Sequence, residues 1–281
     1  MCIIDRNKKM NKKTSIYNKI LNRTDMFDEQ HLPLDEPIKY DFGITISRKQ
    51  SGKKKFSIIN APDLDFIGYK CASYVEFLIN NELIEFYNIQ KYKSILYFGL
   101  GNDKITADAL GGEIIKRLFM SNGLDFKYQT AGVCPSVQAK TGLETAELIK
   151  SICEKFKPDL VVLFDTLASN SIMRLGHSFQ INNEGLAAGS GVGSCNKFMN
   201  KKFLGCDCIV IGVPFMIYAE SFLDEIQYKN KVKKNLLREL VLAPKNIDRQ
   251  VSNCGEIIAS ALNNIFFPEL SKEDIKNLIS N

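Results

Sequence analysis

The sequence predicts an α/β fold with a mostly parallel central sheet, helices on both faces of that sheet and a small β-hairpin. The first observation is a set of short apolar segments typical of buried strands: SILYFGLG (94–101), LVVLFD (160–165) and DCIVIGVP (207–214). The second is that two segments with helical spacing lie between the first two of these strands: ADALGGEIIKRLFMSNG (107–123) and TAELIKSICEKFKPD (145–159). The third is the alternation in GITISRKQSGKKKFSII (43–59), where Ser51-Gly52 predicts a hairpin turn.

The order of the elements predicts an arm followed by one domain. Residues 1–37 are polar, charged and without sustained periodicity, which is typical of a loosely attached arm, and residues 38–281 form the predicted single domain. After the hairpin, GYKCASYVEFLINNELIEF (68–86) predicts a helix. Gly123 and Pro158 mark the predicted ends of the two later helices, and Pro214 marks the predicted end of the last strand.

The composition argues against several classes of protein. The 281 residues carry a formal net charge of +5, without the concentrated basic stripe of a nucleic-acid-binding protein. No apolar run approaches the ~20 residues of a membrane span, and the lysine-rich start has no secretory apolar segment, so we expect a cytoplasmic protein. The eight cysteines show no CxxC pair and the histidines number two, which predicts free thiols rather than disulfides or zinc ligands.

Two aspartates stand where ligands gather in such a fold. Ligands of open α/β sheets bind beyond the carboxyl ends of the strands. Asp165 ends LVVLFD, and the loop after the preceding strand leads to Asp108. Two carboxyl groups in one buried site can share a proton, so that one activates water and the other protonates a leaving group. The local pattern by itself favours helix capping for each aspartate and leaves both roles open.

A second candidate is the glycine-rich segment AAGSGVG (187–193), where glycine permits the close approach of a ligand. The segment lacks the Lys-Ser/Thr pair of a phosphate loop, and GLGND (99–103) is too short for a dinucleotide fingerprint, so nucleotide binding is disfavoured. His177 has no G-x-S-x-G elbow to accompany it, and we interpret it as a surface or core residue.

Four blocks, in this order, resemble the germination protease family of spore-forming bacteria: FGLGNDKITADALGG (98–112), TGLETAELIKSICEKFKPDLVVLFDTLASNSIMRL (141–175), FQINNEGLAAGSGVG (179–193) and CIVIGVPFMIYAES (208–221). The resemblance implies an aspartic-type endopeptidase that starts the degradation of small acid-soluble spore proteins, with Asp108 and Asp165 as its catalytic pair. It also implies a fold similar to hydrogenase-maturation peptidases. We expect no cofactor or metal, no nucleic-acid or membrane partner, and a homo-oligomer, a tetramer by resemblance, in the forespore or spore core.

The resemblance also suggests supporting roles. Asn102 and the loop residues Gly189, Ser190, Gly191 and Gly193 are expected to shape the cleft, with backbone amides of the loop as oxyanion donors. The family is made as a zymogen that loses a short N-terminal segment near an Arg-Thr-Asp sequence. NRTDMFDEQ (22–30) contains that sequence, so we expect cleavage close to the bond between Asp25 and Met26.

Several positions depart from the family pattern. Ala107 stands in place of a proline, Gly112 replaces the proline of a Gly-Pro pair, and Ala187-Ala188 replaces His-Pro. These changes loosen the loops around the aspartates, which leaves open a catalytically silent or substrate-altered paralogue that binds spore proteins or a partner. A metal-dependent peptidase with the aspartates as ligands is a further alternative, disfavoured by the lack of a nearby histidine-rich motif.

Overall fold

The structure, a computed structural model, describes Met26 and residues 34–187, 197–226 and 240–280. The predicted arm, residues 1–37, lies almost wholly outside the described residues, so its separation from the domain stays a prediction. Each cysteine for which the structure gives a bonding state is a free thiol: Cys71, Cys134, Cys153, Cys206, Cys208 and Cys254.

A nine-stranded sheet forms the centre of the fold, with the spatial order β1-β2-β3-β7-β10-β6-β4-β5 and β11 paired to β10. A separate antiparallel pair is formed by β8 and β9. The strands are β1 (Ile38–Lys39), β2 (Thr45–Ser51), β3 (Lys54–Asn60), β4 (Ser94–Gly99), β5 (Gln129–Val133), β6 (Leu160–Ser169), β7 (Ser178–Asn182), β8 (Leu186–Ala187), β9 (Phe198–Met199), β10 (Asp207–Tyr218) and β11 (Val241–Leu242).

The predicted α/β class is confirmed, and the parallel strands are the ones that carry the candidate site. Strands β4, β6 and β10 run parallel, as their apolar sequences indicated, and β5, which the sequence did not predict, adds a fourth parallel strand beside β4. The predicted hairpin is β2 and β3, and its turn contains Gly52 with a φ of +60°. It joins the same sheet through β7, so the sheet has an antiparallel half.

Helices cover both faces of the sheet. On one face, α2, α3 and α8 pack against the sheet, and α5 and α6 pack on the other. The helices are α1 (Leu64–Ile67), α2 (Tyr69–Asn81), α3 (Leu110–Ile115), α4 (Gln138–Thr141), α5 (Thr145–Phe156), α6 (Lys201–Leu204), α7 (Ala219–Glu225), α8 (Ile247–Phe266) and α9 (Lys272–Ser280). Within the described ranges, none of them has the length and apolar character to cross a membrane.

The alternation of β6 shows how one strand serves both layers. Val161 and Leu163 pack in the layer of α5, whereas Val162 and Phe164 pack in the layer of α8, and all four are fully buried. Such two-sided burial explains why this strand has a continuous apolar sequence instead of alternating with polar residues.

Two predicted elements end differently from expectation. The helix predicted over 107–123 is shorter in the structure: α3 ends at Ile115 and irregular chain follows. The chain leaves the helix because the side chain of Asn263 in α8 forms hydrogen bonds with its backbone. Its Nδ2 donates to Arg117 O at 2.8 Å and its Oδ1 accepts from Phe119 N at 3.0 Å. Strand β10 does not end at Pro214, since a register irregularity at Pro214–Met216 accommodates the proline and the strand continues to Tyr218.

Replacing Asn263 with alanine is expected to destabilise the protein by about 2–4 kcal/mol, because the buried N–H of Phe119 and the partly buried carbonyl of Arg117 lose their partner. Urea denaturation at neutral pH measures this change. Asn264 is the neighbouring exposed amide on the same helix, and Asn264→Ala should stay within about 0.5 kcal/mol of the parent. Equal midpoints for the two variants would contradict the prediction.

Candidate active site

The loop after β4 brings Asp108 back against the end of that strand. Leu100 N donates to Phe164 O at 2.8 Å, so the pairing of β4 with β6 continues one residue beyond Gly99. Gly101 then turns the chain with a φ of +99°. A Cβ at Gly101 would lie 2.8 Å from Asp108 Oδ1 and would collide with the Asp108 carbonyl oxygen. Glycine at position 101 is therefore what permits Asp108 to approach the strand.

The carboxyl group of Asp108 is held by its own loop. Asp108 ends a 3-10 turn, Thr106–Asp108, and its Oδ2 accepts from Asn102 N at 2.8 Å. The bond runs back toward β4, and the N-cap position of α3 is occupied by Ala109 and not by Asp108. The hydrogen bond to Asn102 therefore explains the position of this side chain better than the capping alternative.

Burial raises the pKa of Asp108 from 3.8 to about 6. The Asn102 N–H and the positive charge of Lys140 act in the opposite direction and lower it. In the described part of the chain, Asp165 is not one of the groups that shift this pKa. Desolvation, and not repulsion between two carboxylates, is thus the cause of the shift.

Asp165 lies inside β6 and not at its end. The strand continues to Ser169 in parallel register with β10, and a 3-10 turn, Ile172–Arg174, follows. The predicted strand end at Asp165 is therefore wrong, and so is the alternative that Asp165 caps a following helix. The pairing partner of Asp165 is Gly212 of β10, and its Oδ1 accepts from Thr166 N at 3.0 Å.

The segments that carry the two aspartates meet where β4 ends against the middle of β6. The 3-10 turn that ends in Asp108 packs against β6 and β10. In the parallel register of β4 and β6, Gly99 lies opposite Phe164 and Leu100 N donates to Phe164 O, so Leu100 stands beside Asp165 and Gly101 follows it in the chain. Gly101 in turn contacts Asp108. The β4–β6 pairing thus joins the two carboxylate-bearing segments.

The other predicted site residues fall into two groups. Asn102 is half-buried and contributes its backbone N–H to Asp108, while its Oδ1 accepts from Lys104 N at 3.1 Å. Met26 is buried in the layer of α5, and its Sδ accepts from Asn182 Nδ2 at 2.7 Å. The remaining residues lie outside the described residues: Asp25, Ala188, Gly189, Ser190, Gly191 and Gly193.

His177, interpreted from the sequence as a surface or core residue, lies directly before β7 and beside Asp65. It is half-buried, and its Nε2 lies 3.5 Å from Asp65 Oδ2. Across the described ranges, no group of three histidine, cysteine, aspartate or glutamate side chains is arranged to hold a metal ion.

One residue near the site was missed by the sequence analysis. Lys140 in α4 forms a 2.6 Å ion pair with Asp103, the residue after Asn102, and its charge lowers the pKa of Asp108. The segment VQAKTG (137–142) contains no motif, and the ion pair spans 37 residues of sequence. No signal in the sequence pointed to it.

The sequence of this chain is similar to those of known germination proteases. A family model described as germination protease matches residues 70–232, which include both aspartates. The germination protease of Clostridium perfringens (strain SM101 / Type A) is 29% identical over 266 residues, 80% of this chain and 82% of the relative. That of Caldanaerobacter subterraneus subsp. tengcongensis is 30% identical over 242 residues, 72% of this chain and 75% of the relative.

Two further matches cover less of the chain or of the fold. The germination protease of Oceanobacillus iheyensis is 40% identical over 151 residues, 50% of this chain and 41% of the relative. A crystal structure of the [NiFe] hydrogenase maturation protease HycI from Thermococcus kodakarensis covers 66% of this chain and 99% of that chain, at 20% identity and a TM-score of 0.37. The family match extends over more than half of the sequence, and the chain therefore belongs to the germination protease family.

Proposed function

We propose that the protein is an endopeptidase of spore germination in which Asp108 and Asp165 activate water against a peptide bond. Its membership of the germination protease family supports peptide hydrolysis. Asp108 is proposed as a catalytic residue because its carboxyl group is half-buried and its pKa of about 6 lies close to neutral pH. General acid–base groups are most effective when their pKa lies near the working pH.

The proposed reaction needs two proton transfers. One carboxylate accepts a proton from the water molecule while the water oxygen attacks the carbonyl carbon of the peptide bond. The other carboxyl group protonates the leaving nitrogen of that bond. The raised pKa of Asp108 suits the second role, because a sizeable fraction of the group is protonated near pH 6. Asp165 lies within β6, where it pairs with Gly212 of β10 on one side, and the preceding residue, Phe164, pairs with β4 on the other.

The substrate, assembly and location belong to the same proposal. Small acid-soluble spore proteins are the proposed substrates, the forespore or spore core is the proposed location, and a homo-oligomer is the proposed assembly. The protein is further proposed to be made as a zymogen that processes itself between Asp25 and Met26. The buried position of Met26 supports a chain that stays attached at this residue after the preceding segment is removed.

Asp108→Asn and Asp165→Asn are each expected to lower peptidase activity by about 10²–10⁴-fold, because each removes one proton-transfer group. Digestion of a small acid-soluble spore protein, followed by mass spectrometry, measures the rate for the full chain and for a chain beginning at Met26. Asp125→Asn, an exposed turn residue elsewhere, is the matched control and should cut at the parental rate. Full activity in either of the first two variants removes that aspartate from the mechanism.

A second outcome of this digestion separates the proposed function from the alternative. If the parent binds the spore protein but yields no fragments in either form, the protein is a silent paralogue that binds without cutting.

The stability of the protein should fall as the pH rises between about 4 and 6, through Asp108. Its pKa is about 6 in the folded state, above the ordinary value of 3.8, so the folded state binds more protons in this range. Asp108→Asn removes the free-energy cost of burying a charged carboxylate at this position. The variant should match the parent at pH 4 and exceed it by about 1–2 kcal/mol at pH 7 in urea denaturation. A gain of equal size at both pH values would point to a cause other than ionisation.

Activation of the zymogen should remove residues 1–25 from the parent, because Asp108 and Asp165 are proposed to perform the cut themselves. Intact-mass measurement over time monitors the loss of this segment. The Asp108→Asn variant should keep its full mass under the same conditions. Cleavage in that variant would mean that another protease performs the processing, and an intact parent would contradict the zymogen proposal.

A further inference from the structure

We propose that Lys140 is a positioning residue for Asp108, acting through its ion pair with Asp103 to hold the loop that carries the carboxyl group. This inference rests on the proposed function, since it concerns the chemistry of Asp108. It concerns a lysine that no motif of the sequence analysis singled out.

The loop between β4 and α3 is short and internally bonded. Asn102 O accepts from Ile105 N at 2.9 Å, Ile105 O accepts from Asp108 N at 2.7 Å, and Asn102 N donates to Asp108 Oδ2 at 2.8 Å. Any shift of Asn102 therefore moves a donor of the Asp108 carboxylate. Asp103 is the next residue along the chain, so a restraint on Asp103 restrains Asn102 as well.

Lys140 supplies that restraint from a different part of the chain. It lies in α4, within the connection between β5 and α5, where Lys140 N donates to Val137 O at 2.9 Å. The start of this connection is fixed to α5 by a hydrogen bond from Thr145 Oγ1 to Ser136 O at 3.2 Å. Lys140 Nζ then reaches Asp103 Oδ1 at 2.6 Å. The pair links the connection to the loop of Asp108.

The exposure of the ion pair between Lys140 and Asp103 favours a positioning role over a contribution to folding stability. The side chain of Asp103 is 64% exposed and that of Lys140 is 30% exposed. Exposed ion pairs contribute little to folding stability. Loss of this pair is therefore expected to leave the fold intact, whereas catalytic geometry is sensitive to displacements of about 1 Å.

The charges around Asp108 make Lys140 the relevant cation. Asp165 lies on β6, and Glu113 of α3 is paired with Lys116 at 2.7 Å and with Arg117 at 2.6 Å. Three charged residues in the N-terminal half of α8 are exposed: Asp248, Arg249 and Glu256. In the described ranges, the charged side chain that shifts the pKa of Asp108 is that of Lys140, and it lowers this pKa.

The experiment compares Lys140→Met with Lys104→Met in the full chain, which is activated before assay. Both variants lose one lysine charge near the loop and near Asp103, but the 2.6 Å ion pair with Asp103 is made by Lys140, whereas Lys104 donates its backbone N–H to Asn102 Oδ1. Lys140→Met should lower kcat about tenfold with little change in KM. The limb of the pH–rate profile governed by Asp108 should move to higher pH, because removal of the cation raises the pKa of Asp108. Lys104→Met should leave both unchanged.

Two more variants test whether Lys140 acts through Asp103. Asp103→Asn should lower kcat as much as Lys140→Met does, yet without moving the limb to higher pH, since the Lys140 charge remains. Exchange of the two residues, Lys140→Asp with Asp103→Lys, should restore kcat to within about threefold of the parent because the ion pair forms again. Thermal melting within about 2 °C of the parent confirms that each variant is folded.

Each outcome decides between the two proposals. A parental pH profile and kcat in Lys140→Met, with Asp108→Asn inactive, overturns the role of Lys140 and leaves the proposed function intact. A lowered kcat that the exchanged pair does not restore also overturns it, because the effect then does not pass through Asp103. Full activity of Asp108→Asn overturns the proposed function instead.

Discussion

The hydrogen bond from Leu100 N to Phe164 O is the interaction on which the geometry of the candidate site depends. It extends the parallel pairing of β4 and β6 beyond the last strand residue of β4 and so fixes where the following loop begins. The close packing of glycines makes this extension feasible. A Cβ at Gly111 would lie 2.5 Å from Leu100 N, and a Cβ at Gly99 would collide with Gly111 O. Glycine at both positions lets α3 lie directly against the strand.

This constraint has a cost that the rest of the fold offsets. Holding Asp108 against β4 removes its carboxyl group from water, and desolvation disfavours the charged form. The neighbouring strand β6 is apolar and buried on both faces, with Val162 and Leu163 fully buried. That burial stabilises the sheet and permits one unfavourable carboxyl group at its edge, as is common where function and stability conflict.

The sequence was sufficient for the elements whose signals are local. Helix α5 follows the predicted spacing and ends at Phe156, with Lys157 as its C-cap before Pro158, because proline lacks the N–H that a helix requires. The hairpin likewise follows its alternation. The other features could not be predicted, because contacts between residues far apart in the sequence determine them. The amide of Asn263 ends α3 from a distant helix, pairing with β10 carries β6 past Asp165, and Lys140 reaches Asp103 from another loop. None of these contacts leaves a periodic or motif signature in the sequence.

The departures Ala107 and Gly112 can be understood through the same loop. A proline restricts φ in the folded and the unfolded chain alike, so its loss increases the freedom of the loop. Here the loop is restrained instead by contacts of the folded state: the glycine contact at Gly101, the bond from Asn102 to Asp108 and the pairing of Asp103 with Lys140. A Cβ at Gly112 would meet Asp103 Cβ at 3.9 Å, an ordinary contact, so glycine is not sterically required there. Because these restraints exist only in the folded chain, the order of the loop, and with it the position of Asp108, depends on tertiary contacts, one of which comes from Lys140, outside the four blocks that resemble the family.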